Sequence, residues 1–154
     1  MPNVSKLGKI MKNLLVLIVI SFSLYGLADN NPNFFQAYAG QNSTNDQVIT
    51  NAFKNHQSDI QVQGSGRVIK MLTDDTNGSQ HQRFILKLSS GQTLLIAHNI
   101  DLAPRINKLK KGDTVSFYGE YEWNSKGGVI HWTHHDPRGR HVGGWLKHEG
   151  KIYQ

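Results

Sequence analysis

The sequence predicts a mainly β protein, a small OB-like Greek-key barrel of five to six strands with one short N-terminal helix. Two observations favour this class. Between Ile60 and Tyr153, short segments with alternating apolar residues are separated by turns that contain glycine. Five of these segments, with an irregular connection between the third and the fourth, follow the chain order of an OB barrel. The barrel domain is expected to span residues 59–154.

Turn chemistry and alternation give the strand limits. The segment with Pro104 at its centre, Ile100–Leu109, is predicted to be a loop or a short helix. The predicted strands are Gly66–Leu72, His81–Ser89, Gln92–His98, Thr114–Trp123, Gly128–His135 and a last one around Trp145–Tyr153.

The region before the barrel, residues 29–58, is predicted to be a flexible leader followed by a short helix. The leader is rich in Asn, Gln and Ser and has few aliphatic residues. Between Asp46 and Asn55, the apolar residues Val48, Ile49 and Ala52 recur at helical spacing, as does Phe53.

Residues 1–28 have the pattern of a secretory signal peptide. Lysines precede an apolar run from Leu14 to Leu27, and the segment ends in small residues at Gly26 and Ala28. The run is shorter than the roughly 20 residues that span a membrane, so cleavage is favoured over a retained anchor. The mature protein is expected to be a periplasmic or secreted monomer without a membrane span. Met11 is an alternative start to Met1.

Charge and cysteine content limit the classes of function. Removing residues 1–28 leaves 14 Lys and Arg against the 11 Asp and Glu, a net charge of +3. This charge is weak evidence for a partner such as nucleic acid or another polyanion. The chain has no cysteine, so it has no disulfide framework, and a metal site would need His and carboxylate ligands. The sequence has no phosphate-binding loop, HExxH, CxxC or GxSxG motif.

Two hairpin registers indicate which polar residues share a face. A four-residue loop at Asn124–Gly127 places Glu120 opposite His131, with Trp132 on the core face and Thr133 and His135 on the outer face. A two-residue turn at Ser90–Gly91 places Arg83 opposite His98 on the outer face.

The segment HWTHHDPRGRH, His131–His141, is the strongest candidate for a site. His134 and Asp136 have the i and i+2 spacing of ligands on one strand, and His141 could fold back across the turn as a third ligand. The expected ion is zinc, manganese or calcium, with no organic cofactor. In the alternative interpretation, these are hydrogen-bonding residues near an Asp-Pro turn.

A second group of polar residues surrounds the predicted second and third strands. Arginine suits phosphate or carboxylate, histidine suits proton transfer, and carboxylates suit a base or a hard cation. The further site candidates are Asp75, His81, Asp101, Arg105 and His135.

The strings HQRFILKL, GQTLLIAHNIDLAPR, GDTVSFYGEYEWN and GGVIHWTHHDPRGRH resemble a family of small exported proteins from Gram-negative bacteria, classed as a domain of unknown function. This resemblance covers about Gly64 to Tyr153 and implies no established activity. VIKMLTDDT and NIDLAP are also loosely similar to the staphylococcal-nuclease type of OB fold. That similarity implies calcium ligands at Asp75 and Asp101, with Arg105 and Glu120 able to act by position in space, although Ala103 interrupts the family's Asp-to-Pro spacing.

Three functions remain open from the sequence. The first is a metal-dependent phosphodiesterase or nuclease, with Arg83, His98, Glu120 and His131 as its catalytic group. The second is a non-catalytic OB module that binds nucleic acid, glycan or another anionic ligand. The third is a periplasmic metal-binding protein.

Overall fold

The computed structural model describes residues 45–154, so the predicted signal peptide and most of the predicted leader lie outside the described residues. A helix, α1, covers residues 45–54. No helix of the described part is long and apolar enough to cross a membrane. The strands are β1 (Ile60–Met71), β2 (His81–Lys87), β3 (Thr93–Asn99), β4 (Thr114–Glu122), β5 (Val129–His131), β6 (Trp145–His148) and β7 (Lys151–Tyr153).

Five of these strands form a closed barrel, which confirms the predicted OB-like architecture. The strand order is β1-β2-β3-β5-β4, and β4 pairs with β1 to close the ring. The pairings are antiparallel except for β3 with β5, which is parallel. The twelve-residue β1 pairs with two strands: with β4 through its first part, which closes the ring, and with β2 after Gly66. A register shift between Val68 and Lys70 bends β1 where it changes partner.

The barrel interior is filled by the inward-facing residues of each strand. Buried and partly exposed residues alternate along β2, β3 and β4, as expected when one face of each strand lines the core. Gly64 belongs to this interior because a Cβ there would lie 2.6 Å from Cζ of Phe117. The largest fully buried apolar side chains are Tyr121, Phe84, Phe117, Ile49, Leu86, Leu94, Ile96, Ile106, Ile130 and Leu146.

Helix α1 covers one end of the barrel, next to the β2–β3 turn. Ile49 and Ala52 join the core, whereas Val48 is 47% exposed. The carboxylate of Asp46 accepts hydrogen bonds from the Ser89 hydroxyl at 2.5 Å and the Ser90 amide at 3.1 Å. The helix is therefore attached to the barrel by both apolar and polar contacts.

The predicted β2–β3 register is wrong by one residue. Gln82, and not Arg83, lies opposite His98, and Arg83 pairs with Ala97. The turn contains three residues, because the Leu88 amide donates to the Gln92 carbonyl and Gly91 adopts a left-handed conformation with φ of 88°. As a result His98 points into the barrel, away from Arg83.

The β4–β5 register is confirmed, with Glu120 opposite His131 and Tyr121 opposite Ile130. The predicted fifth strand is too long, because β5 ends at His131. Trp132 has a φ of 50°, a left-handed conformation that does not continue a strand. The expected faces of Trp132 and Thr133 are wrong, since Thr133 is buried and Trp132 is only partly buried, whereas His135 is exposed as expected.

The remaining segments complete the fold. The predicted last strand is a hairpin, in which β6 and β7 join through a tight turn with Glu149 and Gly150 both left-handed. The β6 strand pairs with β4 beyond β5. The predicted loop or short helix after β3 consists of turns, and Gln82 anchors it by exchanging two hydrogen bonds with the Ile106 backbone at 3.0 and 2.9 Å.

Candidate metal centre

Three strands bring a row of polar residues together on the outer face of the barrel. Glu120 of β4 lies directly opposite Gln61 of β1 on one side and His131 of β5 on the other. Glu122, two residues further along β4, lies on the same face because side chains alternate along a strand. The row exists because β4 lies between β1 and β5 and pairs antiparallel with both.

His131 faces the two carboxylates. Its Nε2 lies 3.3 Å from Glu120 Oε1 and 3.9 Å from Glu122 Oε1. The 3.3 Å contact does not have hydrogen-bond geometry, and this nitrogen is buried without a hydrogen-bond partner. Ligand-type atoms of the three residues all lie within 4.8 Å of one another, which makes them a group that could hold a metal ion.

Gln61 contributes a second unsatisfied atom to this row. Its Nε2 is also buried without a partner. Buried polar atoms normally have a hydrogen-bond partner, so each exception needs an explanation. In the described part of the chain the only two such side-chain atoms belong to the residues that flank Glu120, which singles out this row as the candidate site.

His141 holds the other oxygen of Glu120. Its Nε2 donates to Glu120 Oε2 at 2.6 Å, and its Nδ1 donates to the Val142 carbonyl at 2.8 Å. Both partners only accept hydrogen bonds, so the ring carries a proton on each nitrogen. Burial disfavours this cation, but the hydrogen bonds to Glu120 and to Val142 outweigh it and raise the pKa of His141 above its ordinary value.

The segment after β5 is folded so that His141 reaches Glu120. Asp136 accepts hydrogen bonds from the amides of Arg138, Arg140 and His141 at 2.9, 2.7 and 2.9 Å, which closes the turn. These amides lower the pKa of the Asp136 carboxyl. His141 thus folds back across this turn, but it meets Glu120 there, whereas the sequence predicted it as a ligand together with His134 and Asp136.

Trp132 covers the His141 ring. The two rings stack with centroids 4.0 Å apart and planes at 8°, an arrangement that suits an aromatic face and a cation. Trp132 is the left-handed residue that ends β5. A bulky residue in that conformation is an outlier whose strain must be offset by its surroundings, and such outliers cluster at functional sites.

His131 and His141 differ in charge although they share Glu120. Burial lowers the pKa of His131, and the nearby carboxylates of Glu120 and Glu122 oppose this shift without cancelling it. His131 is therefore neutral under conditions in which His141 is charged. A neutral imidazole has a lone pair available for a metal ion.

Two members of the predicted catalytic group lie elsewhere. His98 is fully buried, with Nδ1 2.8 Å from the Thr133 hydroxyl and Nε2 3.2 Å from the Pro104 carbonyl. Burial lowers the pKa of His98 to about 4. Arg83 lies on the outside of β2 and donates to the Thr73 carbonyl at 3.1 Å. Of the four residues predicted from the sequence, only Glu120 and His131 come together.

The other predicted polar residues organise the loop between β1 and β2. Arg83 forms an ion pair with Asp75 at 3.4 Å, and Arg105 forms one with Asp74 at 2.9 Å. The Asp101 carboxylate accepts from the Gln80 amide, and His81 Nδ1 contacts the Ser79 carbonyl, each at 2.8 Å. The two aspartates of the nuclease resemblance, Asp75 and Asp101, thus have protein partners.

The predicted metal ligands other than His141 also have separate roles. His134 is buried, and its Nδ1 contacts the His135 carbonyl at 2.7 Å, whereas His135 is exposed. The carboxylate of Asp136 is occupied by the three backbone amides. Sequence reasoning did not identify Glu122, although its i+2 spacing from Glu120 was a usable signal. It also missed Gln61, which becomes a neighbour of Glu120 only when the barrel closes.

Comparison with known families agrees with the resemblance inferred from the sequence. Residues 33–154 match the family described as "Protein of unknown function (DUF3465)". The chain belongs to this DUF3465 family. A comparison with curated proteins finds no match. The family model covers every strand of the barrel and all residues of the candidate metal centre, so the site lies within the part that defines the DUF3465 family.

Proposed function

We propose that this domain binds a divalent metal ion through Glu120, Glu122 and His131 on the outer face of its barrel. The observation that supports this most is the buried Nε2 of His131, which faces two carboxylates and has no hydrogen-bond partner. A bound cation would satisfy this nitrogen and would offset the repulsion between the two carboxylates.

The separations between the ligand atoms suit a metal ion. Bonds of about 2.0–2.2 Å to nitrogen and oxygen place neighbouring ligand atoms about 3.0–3.6 Å apart. The observed 3.3 Å and 3.9 Å from His131 Nε2 to the two carboxylates need only small adjustments to reach this range. His141 would act as a positioning residue that orients Glu120, as partners of metal-binding side chains commonly do.

The ligand set favours zinc or manganese over calcium. One imidazole and two carboxylates combine the ligand types that zinc and manganese accept. Calcium prefers six to eight oxygen ligands, and an imidazole nitrogen at the centre of the group does not suit it. Gln61 would then be free to donate a hydrogen bond to a water or ligand oxygen on the metal.

Calorimetric titration of the purified, EDTA-treated protein with zinc chloride and manganese chloride tests this function. We expect one ion to bind per chain. His131→Ala and Glu120→Gln should each weaken binding at least tenfold, since even loss of a residue that only supports a ligand costs about 10–100-fold in affinity. His141→Gln should weaken it by about tenfold.

His135→Ala is the matched control, because His135 is an exposed histidine of the same segment without a place in the group. It should bind the ions as the wild type does. If neither ion binds the wild type, or if His135→Ala weakens binding as much as His131→Ala, the proposal is wrong.

A second candidate function is hydrolysis of phosphodiesters by the bound ion. The observation that favours it is the doubly protonated His141 beside Glu120, a positive group able to stabilise negative charge that develops on a phosphodiester during hydrolysis. An ion held by Glu120, Glu122 and His131 would supply Lewis-acid activation of water. Arg83 and Arg105 form ion pairs with aspartates of the β1–β2 loop, so among these residues His141 is the one that could stabilise the negative charge.

Hydrolysis of bis(p-nitrophenyl) phosphate, with and without the metal that binds best, tests this second function. We expect turnover that EDTA abolishes and that His141→Gln lowers by about 10²-fold, the usual effect of losing one such stabilising group. Metal binding without turnover would refute hydrolysis and would leave metal binding as the function.

The predicted signal peptide supports a further proposal, that the protein acts in the periplasm or outside the cell.

A further inference from the structure

Acidic residues are segregated to one part of the barrel. Strand β4 provides both carboxylates of the candidate metal centre, Glu120 and Glu122. Strands β1, β2 and β3 contain no Asp or Glu at all. These three strands carry four cationic residues, Arg67, Lys70, Arg83 and Lys87.

Three of these cations are adjacent and unpaired. Arg67 lies opposite Lys87, and Lys70 lies opposite Ile85, so the three surround one patch of the outer face. Among the ion pairs of residues 45–154, Arg83 is engaged with Asp75, whereas Arg67, Lys70 and Lys87 have no acidic partner. Side chains of like charge directly opposite each other, as Arg67 and Lys87 are, repel each other, and a bound anion would remove this cost.

Two grooves cross the same face. One, of about 380 Å³, is lined by residues that include Arg67, Ile69 and Lys87. The other, of about 220 Å³, is lined by residues that include Ile85, Leu95 and Lys126. No acidic residue lines either groove. Ile69, Ile85 and Leu95 are partly buried between the cations, so their apolar surface forms the floor of the grooves.

We infer that this face, formed by Arg67, Lys70, Lys87 and Lys126, binds single-stranded nucleic acid through its phosphates. A linear, flexible polyanion can follow the curved face and contact several separated cations in turn, whereas a single small anion would reach only one or two. The partly buried apolar residues lie in grooves and do not project, which suits contact with sugars and bases better than insertion into a membrane.

The composition of the grooves also predicts the mode of binding. No aromatic side chain lines either groove, so bases have no ring on which to stack. Affinity should therefore come mainly from phosphate contacts, with little dependence on base sequence and strong dependence on salt.

Fluorescence anisotropy with a labelled oligothymidylate of about 16 nucleotides, the upper end of the site size of one OB fold, tests this inference. The protein is titrated at several salt concentrations in the presence of EDTA, so that the result does not depend on the candidate metal centre. With three or four phosphate contacts, we expect a slope of log affinity against log salt of about −2 to −3.

Arg67→Gln and Lys87→Gln should each reduce the magnitude of that slope by about 0.7 and weaken binding at low salt. Lys147→Gln is the matched control, because Lys147 is an exposed lysine on β6 that lines neither groove. All three side chains are exposed, so the variants should unfold at the wild-type temperature.

Two results would overturn the inference. The first is the absence of an anisotropy change at low salt, including the case in which the protein binds phosphatidylglycerol vesicles but not the oligonucleotide. The second is an equal change of slope for Lys147→Gln and Lys87→Gln, which would show that the net charge of the protein, and not this face, attracts the polyanion.

Discussion

Glu120 has two oxygens with different neighbours, and this difference organises the candidate metal centre. Oε2 accepts a hydrogen bond from the charged ring of His141, whereas Oε1 faces the neutral ring of His131. The imidazolium thus fixes the carboxylate in position while leaving one oxygen for another partner. The same residue would be a simple surface carboxylate if the chain after β5 did not fold back.

His98 should make the stability of the protein depend on pH. Its pKa of about 4 in the folded state lies below the ordinary value of 6.5, because the neutral ring is buried. The unfolded state therefore binds the proton more readily. The contribution of His98 to the free energy of unfolding is complete above pH 6.5. As the pH falls toward 4 this contribution is lost, which lowers the free energy of unfolding by up to about 3 kcal/mol.

Urea unfolding at a series of pH values measures this effect. In His98→Gln, the free energy of unfolding should be lower at neutral pH, but it should fall less between pH 6.5 and 4 than in the wild type. His135→Ala serves as the control, since exposed His135 should leave the slope unchanged. Equal slopes for the wild type and His98→Gln would contradict the buried, neutral state of His98.

At the scale of single elements, helix α1 should contribute stability through the residues that it buries. Ile49 is fully buried against the barrel, so Ile49→Ala should lower the free energy of unfolding by about 2–5 kcal/mol. The neighbouring residue Val48 is 47% exposed, so Val48→Ala should change the free energy of unfolding by less than about 0.5 kcal/mol. Denaturant unfolding of both variants measures the difference. A small effect of Ile49→Ala would mean that α1 is not part of the cooperative unit.

The two hairpins show how far the sequence predicts register. The β4–β5 register was predictable because Tyr121 lies between two glutamates and Ile130 is followed by His131, polar residues that must face outward. In β3, the run Leu94–Ala97 is apolar at every position, so either face could be the core. The register then depended on the turn, and a three-residue turn with a left-handed Gly91 could not be told from a two-residue turn by composition.

The candidate metal centre was predictable in part for the same reason. Glu120 and His131 are neighbours within one hairpin, and their pairing follows from local register. Gln61 becomes adjacent to Glu120 only through barrel closure, which joins distant segments of the chain. The position of His141 depends on the turn closed by Asp136, which the Asp-Pro pair indicates, and on the left-handed Trp132, which has no clear sequence signal.

At the scale of the whole molecule, metal binding should raise the temperature of unfolding. An ion that binds only the folded protein adds about 2.7 kcal/mol when its free concentration is 100 times the dissociation constant. We expect zinc or manganese to raise the midpoint in a thermal melt, and EDTA to reverse the change. Glu122→Gln should reduce the increase in unfolding temperature that the metal causes. Glu149→Gln should not, because Glu149 is an exposed carboxylate that does not belong to the candidate metal centre. An unchanged midpoint at saturating metal would contradict binding to the folded barrel.

The closure of the barrel by β1 and β4 has a consequence for how the protein folds. Ile60 pairs with Tyr121, and Arg67 pairs with Thr114, so the ring cannot form until segments far apart in the chain have met. Such contacts cost loop-closure entropy before they return any stability. Barrels built in this way fold in milliseconds to seconds, more slowly than helical domains of similar size. Glu120, Glu122 and His131 meet within the local β4–β5 hairpin, whereas Gln61 lies across the closure from Glu120, so the row is complete only after the ring has closed.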